Sequence, residues 1–211
     1  MNPHPSTTFE FVAESIIPSK HGDLHVRAYR NHQDNTEPVA FFFQNPYGGH
    51  NVPVRIHDAC FTSEVLGSLK CDCKEQLELA LAYISQHGGV IIYLQQEGRG
   101  IGLANKIAAY ALQETGLDTV EANRALHLPD DLREYHIAAF ILKDLDIHSI
   151  SLMTNNPRKI EKVSKLGITI HKRIPIEVAP QVHNEQYLKA KGRKMGHFLS
   201  SINQQNSSKD T

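Results

Sequence analysis

Short apolar runs dominate the first third of the chain, and each has the length of a β-strand. They are separated by turn-forming sequences, of which His21-Gly22-Asp23 and Tyr47-Gly48-Gly49 are the clearest. The runs follow one another with no amphipathic helical segment between them, a pattern that favours antiparallel pairing. We predict strands at Phe11–Pro18, Leu24–Tyr29, Val39–Phe43 and Val52–His57.

The remainder of the chain alternates helical and strand patterns. Leu77, Leu81 and Ile84 recur at helical spacing, and Gly88-Gly89 ends that helix. The predicted elements are a helix at Lys74–His87, a strand at Gly89–Gln95, helices at Gly102–Glu114 and Asp130–Leu145 (the latter capped by Asp130 or Asp131), a strand at Ser149–Thr154, a helix from Pro157 to Gly167, a strand at Ile168–Ile176 and a helix at Asn184–Ser200. The predicted fold class is α/β (mixed α+β): a single domain whose mixed sheet has antiparallel N-terminal strands and is flanked by helices.

Length and composition are those of an ordinary globular domain. The 211 residues fit one domain, and 40% hydrophobic with 21% charged residues is normal for a folded protein. Polar ends predict a flexible N-terminus at 1–10 and a flexible C-terminal tail at 201–211, with the folded domain at 11–200. No apolar run reaches membrane length and no signal-peptide pattern opens the chain, so we expect a cytoplasmic protein with no membrane partner.

Charge argues against a nucleic-acid partner. The formal net charge is -1, so no bulk basic field attracts a phosphate backbone. Trp is absent and aromatic residues make up only 7% of the chain, which leaves little surface for stacking bases. An anionic ligand must therefore be bound by locally placed cations.

The cysteines are the first indication of chemistry. Their pattern is Cys60-x10-Cys71-x-Cys73, and an odd count in a chain of this type argues against disulfides. In an extended C-x-C segment both sulfurs point to one face, where Cys60 could complete a three-thiolate site with an open fourth position. Two alternatives remain from spacing alone: three ordinary buried cysteines, or a closed structural site with a fourth ligand such as His57.

Two strand-to-helix turns carry groups suited to phosphate. Gln96-Glu97-Gly98-Arg99-Gly100-Ile101-Gly102 offers backbone N–H groups at a helix start, although it matches neither common glycine-rich phosphate motif. Thr154-Asn155-Asn156-Pro157-Arg158-Lys159 offers hydroxyl, amide and cationic groups at another helix start. By spacing alone the first is equally well explained as a tight turn, and the second is better explained as an Asn-rich helix cap with solvated Arg158 and Lys159. The same reasoning makes Asp130–Tyr135 a capped helix start, and Tyr110, on the face of Leu103 and Ile107, a core residue.

Taken together, the ordered motifs resemble GTP cyclohydrolase II, the enzyme that starts riboflavin synthesis. The resemblance runs from about residue 50 to 200, so the segment 11–200 is expected to be the catalytic domain. About 50 residues precede the motifs, and we expect no second enzyme domain within them. The matching segments are Val54–His57, Ser68–Cys73, Gln76-Leu77, Gln96–Leu103, Asn105–Ile107, Tyr110–Gln113, Asp118–Asn123, Asp131-x-Arg133, Thr154–Pro157 with Lys159, Asn184-Glu185 and Lys194–His197.

The resemblance implies a site and a reaction. Zinc is expected on Cys60, Cys71 and Cys73, magnesium with the triphosphate, and a homodimer as the assembly. Asp131 matches the family's proton acceptor, Arg133 its proposed nucleophile and Tyr110 a tyrosine needed for complete ring opening. Because a guanidinium is always protonated, we expect Arg133 to be essential through charge stabilisation instead. The implied GTP contacts are Arg55, Ile56, His57, Asp58, Gln76, Glu97, Gly98, Arg99, Thr119, Thr154 and Lys159.

The sequence departs from the family pattern near the first cysteine. The usual His-Ser-Glu-Cys-Leu-Thr-Gly-Asp reads here from His57 to Glu64, with Ala59 and Ser63 among the changes, and His127 stands where glycine is common. Two alternatives to the full activity therefore remain: a paralogue that acts on GTP or a related purine nucleotide with a different end product, and a non-enzymatic zinc-containing nucleotide-binding protein.

Overall fold

The computed structural model describes residues 8–117, 119–129 and 131–178, and their strands form one sheet of seven. Strand β1 begins at Phe9, two residues inside the segment predicted as an N-terminal tail. The strand order is β1-β2-β3-β5-β4-β6-β7. The strands are β1 (Phe9–Ser19), β2 (Gly22–Asn31), β3 (Val39–Phe42), β4 (Val52–Asp58), β5 (Val90–Leu94), β6 (Ile150–Met153) and β7 (Ile170–Ile174).

The sheet has an antiparallel half and a parallel half, which confirms the predicted fold class. Strands β1, β2, β3 and β5 pair antiparallel, whereas β5, β4, β6 and β7 pair parallel. Five of the seven residues of β4 are buried, as expected of a central strand covered on both faces. The carboxyl ends of β4, β5 and β6 consequently meet at one edge of the sheet.

Helices cover both faces of the sheet. Alternate residues of β5 separate two cores: Ile92 packs with Ile141 of one helix, and Ile91 packs with Ile84 of another. No helix within the described residues is long and apolar enough to cross a membrane. The helices are α1 (Phe61–Glu64), α2 (Cys73–His87), α3 (Leu103–Glu114), α4 (Thr119–Ala125), α5 (His136–Asp144) and α6 (Pro157–Lys165).

Most predicted element bounds agree with the structure, but the helix predicted at Asp130–Leu145 was wrong in its first part. That helix, α5, begins at His136, and Asp131 caps nothing in it. Asp131 Oδ1 instead accepts the backbone N–H of Arg133 at 3.1 Å, a local side-chain bond that competes with helix formation. Helix α4 was not predicted, and the helix predicted at Asn184–Ser200 lies outside the described residues.

Candidate functional site

A cleft opens at the carboxyl edge of the parallel strands. Asp58 ends β4, Glu97 follows β5 and Thr154 follows β6, so the topology brings three of the predicted segments together. The predicted site residues that line this cleft are Arg55, His57, Asp58, Cys60, Cys71, Cys73, Gln76, Glu97, Gly98, Arg99, Tyr110, Arg133, Thr154 and Lys159.

The three cysteine sulfurs converge at one end of the cleft. All three lie within 4.8 Å of one another, and the Sγ atoms of Cys60 and Cys71 are 3.5 Å apart. The prediction of an extended C-x-C segment was wrong: Asp72 has φ -110° and ψ 20°, and Cys73 is the first residue of α2. The sulfurs meet because the chain turns into a helix between them.

The donor set suits a zinc ion. Three thiol groups provide the soft ligands that zinc prefers, and hydrogen bonds from Cys71 and Cys73 lower the pKa of the Cys60 thiol. Among the residues that the structure describes, these cysteines form the sole group of three or more metal-ligating side chains. His57 is not part of this group, and its Nε2 lies 3.0 Å from Glu64 Oε1. The geometry therefore fits three protein ligands and an open position.

Glu64 holds the backbone of Cys60 by a hydrogen bond. Its Oε1 accepts the backbone N–H of Cys60 at 2.9 Å, and its Oε2 accepts the hydroxyl of Tyr93 at 2.7 Å. His57, which is 1% exposed, stacks on the Tyr93 ring with centroids 5.5 Å apart. Burial lowers the pKa of His57, although its contact with Glu64 opposes this effect. Together these contacts fix where the Cys60 backbone enters the site.

Lys106 lines the cleft, and the sequence analysis gave it no role. Its Nζ lies 3.1 Å from Cys60 Sγ, 2.9 Å from Thr62 Oγ1 and 2.8 Å from Glu97 Oε1. Burial alone would lower the pKa of Lys106, but its contacts with Glu97 and Cys60 raise it, so the ammonium stays charged. The signal in the sequence was its spacing of one helical turn before Tyr110.

The Glu97 carboxylate is already occupied by protein donors. Its Oε2 accepts the backbone N–H of Phe61 at 2.6 Å, while Oε1 accepts both Lys106 and the N–H of Gly98. Glu97 thus ties the start of α1 to α3. Oε2 has a single protein donor among the described residues, so it keeps capacity to accept a further N–H such as that of a purine edge.

Tyr110 lines the cleft, whereas its helical spacing alone had indicated a position in the core. Leu103 and Ile107, on the face assigned to the core, are 36% and 47% exposed. The Tyr110 ring has two ammonium neighbours, Lys70 Nζ at 4.6 Å and Lys106 Nζ at 5.8 Å from its centroid. Its position therefore agrees with the role implied by the family resemblance.

The glycine-rich turn positions the segment that carries Asp131 and Arg133. Arg99 has a left-handed φ of 64°, and its carbonyl accepts the N–H of Leu132 at 3.0 Å. Gly100, at φ 89°, passes so close to Leu132 that an added Cβ would lie 3.0 Å from that side chain. A side chain at this position would thus push the two segments apart.

A compact network of charges forms the other end of the cleft. Asp131 accepts Arg133 Nε at 2.9 Å and Nη2 at 2.7 Å, and Asp58 Oδ2 accepts Arg133 Nη1 at 2.9 Å. Burial opposes ionisation of Asp131, yet the bonds from Arg133 outweigh it and lower the pKa to about 2. So acidic a carboxylate is a weak base. It is better suited to orienting Arg133 than to accepting a proton.

Lys159 completes this network from the first turn of α6. Its Nζ donates to Asp58 Oδ2 at 2.8 Å and to the carbonyl of Ile56 at 2.7 Å. Burial lowers the pKa of Lys159 to about 8, although Asp58 acts in the opposite direction. The Asn156 side chain caps the same helix by accepting the N–H of Arg158.

The remaining predicted contacts are placed as follows. Arg55 is buried and donates to Met153 O at 3.0 Å and to Gln76 Oε1 at 2.7 Å. The side chain of Ile56 lies in the core and is 0% exposed, so only its backbone reaches the site. Thr119 begins α4, and its side chain lies outside what the structure describes. Further lining residues that were given no individual role include Gln113, Asn123 and Asn155.

Of the departures Ala59, Ser63 and His127, the last two have local structural explanations. Ser63 Oγ accepts the N–H of Lys74 at 3.1 Å and so joins α1 to the start of α2. His127 has a φ of 55°, a conformation that explains why glycine suits this position. Ala59 lines the cleft, and nothing in the structure explains its substitution.

The fold and the site define an α/β protein with a thiol-rich candidate metal centre and a cationic pocket in one cleft. Residues 10–175 match the model of a protein family described as GTP cyclohydrolase II. The chain belongs to this family, as the sequence motifs predicted.

Curated relatives agree with this assignment. The GTP cyclohydrolase-2 of Campylobacter fetus is 48% identical over 186 residues, which cover 88% of this chain and 94% of that protein. The riboflavin biosynthesis protein RibBA of Chlamydia muridarum is 48% identical over 193 residues, covering 90% of this chain and 46% of the relative. RibBA of Bacillus subtilis is 46% identical over 196 residues, covering 92% and 49%. The chain thus spans about half the length of these two RibBA relatives.

Proposed function

We propose that this protein opens the imidazole ring of GTP, as a GTP cyclohydrolase II in the first step of riboflavin biosynthesis. The reaction releases formate and pyrophosphate and gives 2,5-diamino-6-(5-phosphoribosylamino)pyrimidin-4(3H)-one. One observation carries the proposal: the cysteine group and the cations Arg133 and Lys159 face the same cleft. A nucleotide spanning that cleft would present its base to one end and its phosphates to the other.

Zinc is the metal proposed for the cysteine end. Held by Cys60, Cys71 and Cys73, it would supply an activated water and a Lewis acid for hydrolysis at the electrophilic C8 of guanine. Lys106 would offset the excess negative charge of three thiolates. Tyr110, beside Lys106, would position or transfer a proton during ring opening.

The phosphate end is proposed to release pyrophosphate. Arg133 remains protonated there, because its pKa is raised by its bonds to Asp131 despite burial. A permanent cation stabilises the negative charge that develops on a transferring phosphoryl group, and Asp131 fixes its orientation. Lys159 and Thr154 would contact the phosphates, with magnesium accompanying them. The other proposed GTP contacts are Arg55, Ile56, His57, Asp58, Gln76, Glu97, Gly98, Arg99 and Thr119. We further propose a cytoplasmic homodimer.

Product analysis tests this function. Purified zinc-loaded protein would be incubated with GTP and magnesium, and every product identified by mass spectrometry with separate formate and pyrophosphate assays. We expect formate and pyrophosphate in equal amounts together with the diaminopyrimidinone. A different ring-opened product would indicate the divergent paralogue that the departures at Ala59, Ser63 and His127 leave open. Absence of both small products would indicate a non-enzymatic nucleotide-binding protein.

A further inference from the structure

Asp58 occupies a position in which a phosphate oxygen would be expected. Its Oδ2 lies 2.8 Å from Lys159 Nζ and 2.9 Å from Arg133 Nη1, so one carboxylate oxygen bridges two buried cations. The hydroxyl of Tyr135 also points to this oxygen, at 3.5 Å. The side chains of Lys159, Arg133 and Asp58 are 4%, 13% and 11% exposed. These are the contacts that a bound anion makes in a phosphate site.

Asp58 fills the place between the two cations. Of the five N–H donors of Arg133, Asp131 takes those of Nε and Nη2 and Asp58 Oδ2 takes one of Nη1. Lys159 donates to the same Asp58 oxygen and to the carbonyl of Ile56. A phosphate oxygen that is to lie between Arg133 Nη1 and Lys159 Nζ must therefore displace Asp58 Oδ2 from that place.

Only one of the two carboxylate oxygens of Asp58 has hydrogen-bond partners among the described residues. Its second oxygen, Oδ1, is buried and has no hydrogen-bond partner among the residues that the structure describes. A buried carboxylate oxygen without a partner carries an uncompensated desolvation cost. That cost favours release of Asp58 when a more highly charged anion arrives.

We propose that Asp58 is a resident anion that occupies the phosphate pocket of the free protein and competes with the phosphates of the ligand. An incoming polyphosphate displaces the carboxylate from Lys159 and Arg133, and the carboxylate returns when pyrophosphate leaves. Asp58 thus weakens retention of pyrophosphate and favours ligands whose charge is sufficient to displace it. The inference rests on the proposed function for the identity of the ligand, but the competition itself requires no turnover.

Direct binding of inorganic pyrophosphate tests the proposal. Isothermal titration calorimetry would compare the full-length, zinc-loaded wild type with Asp58→Asn, which keeps the shape of the side chain and removes its charge. We expect the dissociation constant of the variant to fall by about tenfold or more, because a full negative charge next to the anion is removed. Asp58→Ser should behave in the same way. Loss of a merely structural contact would instead weaken binding.

Asp144→Asn is the matched control. Asp144 also pairs with an arginine, Arg27 at 2.6 Å, and accepts a tyrosine hydroxyl, Tyr29 at 2.8 Å, in a separate part of the molecule. Its replacement should leave pyrophosphate binding unchanged. Unchanged or weaker binding in both folded Asp58 variants would overturn the proposal, whether or not the wild type opens GTP.

The wild type provides a second measurement if the variants fail to fold. A crystal structure with pyrophosphate bound between Lys159 and Arg133 should show the Asp58 carboxylate displaced from both. Pyrophosphate bound there with the Asp58 contacts intact would contradict the proposal.

Discussion

The two ends of the cleft suit ligands of opposite charge. At the cysteine end, three sulfurs lie within 4.8 Å of one another and the ammonium of Lys106 lies 3.1 Å from Cys60 Sγ. At the phosphate end, Arg133 and Lys159 lie around one carboxylate oxygen of Asp58. The first end has three sulfur atoms that suit a soft metal cation, and the second has a cation pair that suits an anion.

Only two positions in the sequence separate a residue of one end from a residue of the other. Strand β4 ends at Asp58, and Cys60 follows two residues later, so one segment contributes an anion to one end and a thiol to the other. The ends use different supporting elements, however: α2 and α3 hold the sulfurs and Lys106, whereas α6 and the segment before α5 hold Lys159 and Arg133. This difference predicts that the two chemical steps are separable by substitution.

The largest expected effect is loss of the metal. Replacement of Cys60, Cys71 or Cys73 by serine should remove zinc and reduce formate release to background, because a hydroxyl is a poor substitute for a thiolate. Zinc would be measured by atomic emission spectrometry and formate by an enzymatic assay. Zinc content that stays at the wild-type level in all three variants would reject the assignment of the site.

Tyr110→Phe should have the next largest effect. The change keeps the ring between Lys70 and Lys106 and deletes only the hydroxyl. Formate release should fall by about 10²–10⁴-fold if this hydroxyl transfers a proton, with zinc and GTP binding retained and a formylated intermediate accumulating. Tyr47→Phe, whose hydroxyl accepts Arg27 Nη1 away from the cleft, serves as control. Wild-type formate release by Tyr110→Phe would remove Tyr110 from the mechanism.

Arg133→Ala should slow pyrophosphate release by about 10²–10³-fold, the usual loss when one transition-state donor is removed. Its zinc content should not change, since Arg133 belongs to the opposite end of the cleft. Arg30→Ala removes an arginine that is 43% exposed in its side chain and pairs with Glu37, and should leave the rate unchanged. Normal pyrophosphate release by Arg133→Ala would overturn the role given to this residue.

Lys106→Met tests the charge balance of the cysteine end and has the smallest expected effect. The variant should bind zinc about tenfold more weakly, as judged by competition with a chelator, because the thiolates lose a neighbouring cation. Lys106→Arg should recover most of the affinity. Lys70→Met removes an ammonium that also faces Tyr110 but is 48% exposed and pairs with Glu114 at 3.9 Å, so zinc affinity should persist. Equal affinity in wild type and Lys106→Met would exclude charge compensation.

Local patterns in the sequence predicted the fold well. Strand-sized runs and glycine turns gave the antiparallel start, and α2, α3 and α6 lie close to their predicted positions. The part that failed, the start of α5, depends on contacts between distant segments. Gln96 pairs through its side chain with the backbone of Glu134, and Leu132 bonds to Arg99, which keeps this stretch out of the helix.

The site was only partly predictable for a related reason. The spacing of Cys60, Cys71 and Cys73 made a metal site one of three readings, and only the family resemblance made zinc the expectation. The apolar face of α3 did not indicate which side met the core, because Leu103 and Ile107 are exposed while Ala109 is 4% exposed. The pairing of Asp58 with Lys159 joins residues 101 positions apart, and no local pattern encodes it.

Simultaneous measurement of formate and pyrophosphate from GTP by the Cys71→Ser variant tests the division of labour most directly. Both products would be quantified in the same reaction, with wild type and Arg133→Ala in parallel. The account predicts that Cys71→Ser releases pyrophosphate while forming no formate, and that wild type releases both in equal amounts. If Cys71→Ser loses both products in the same proportion while remaining folded, the two ends of the cleft do not act separately and the account is contradicted.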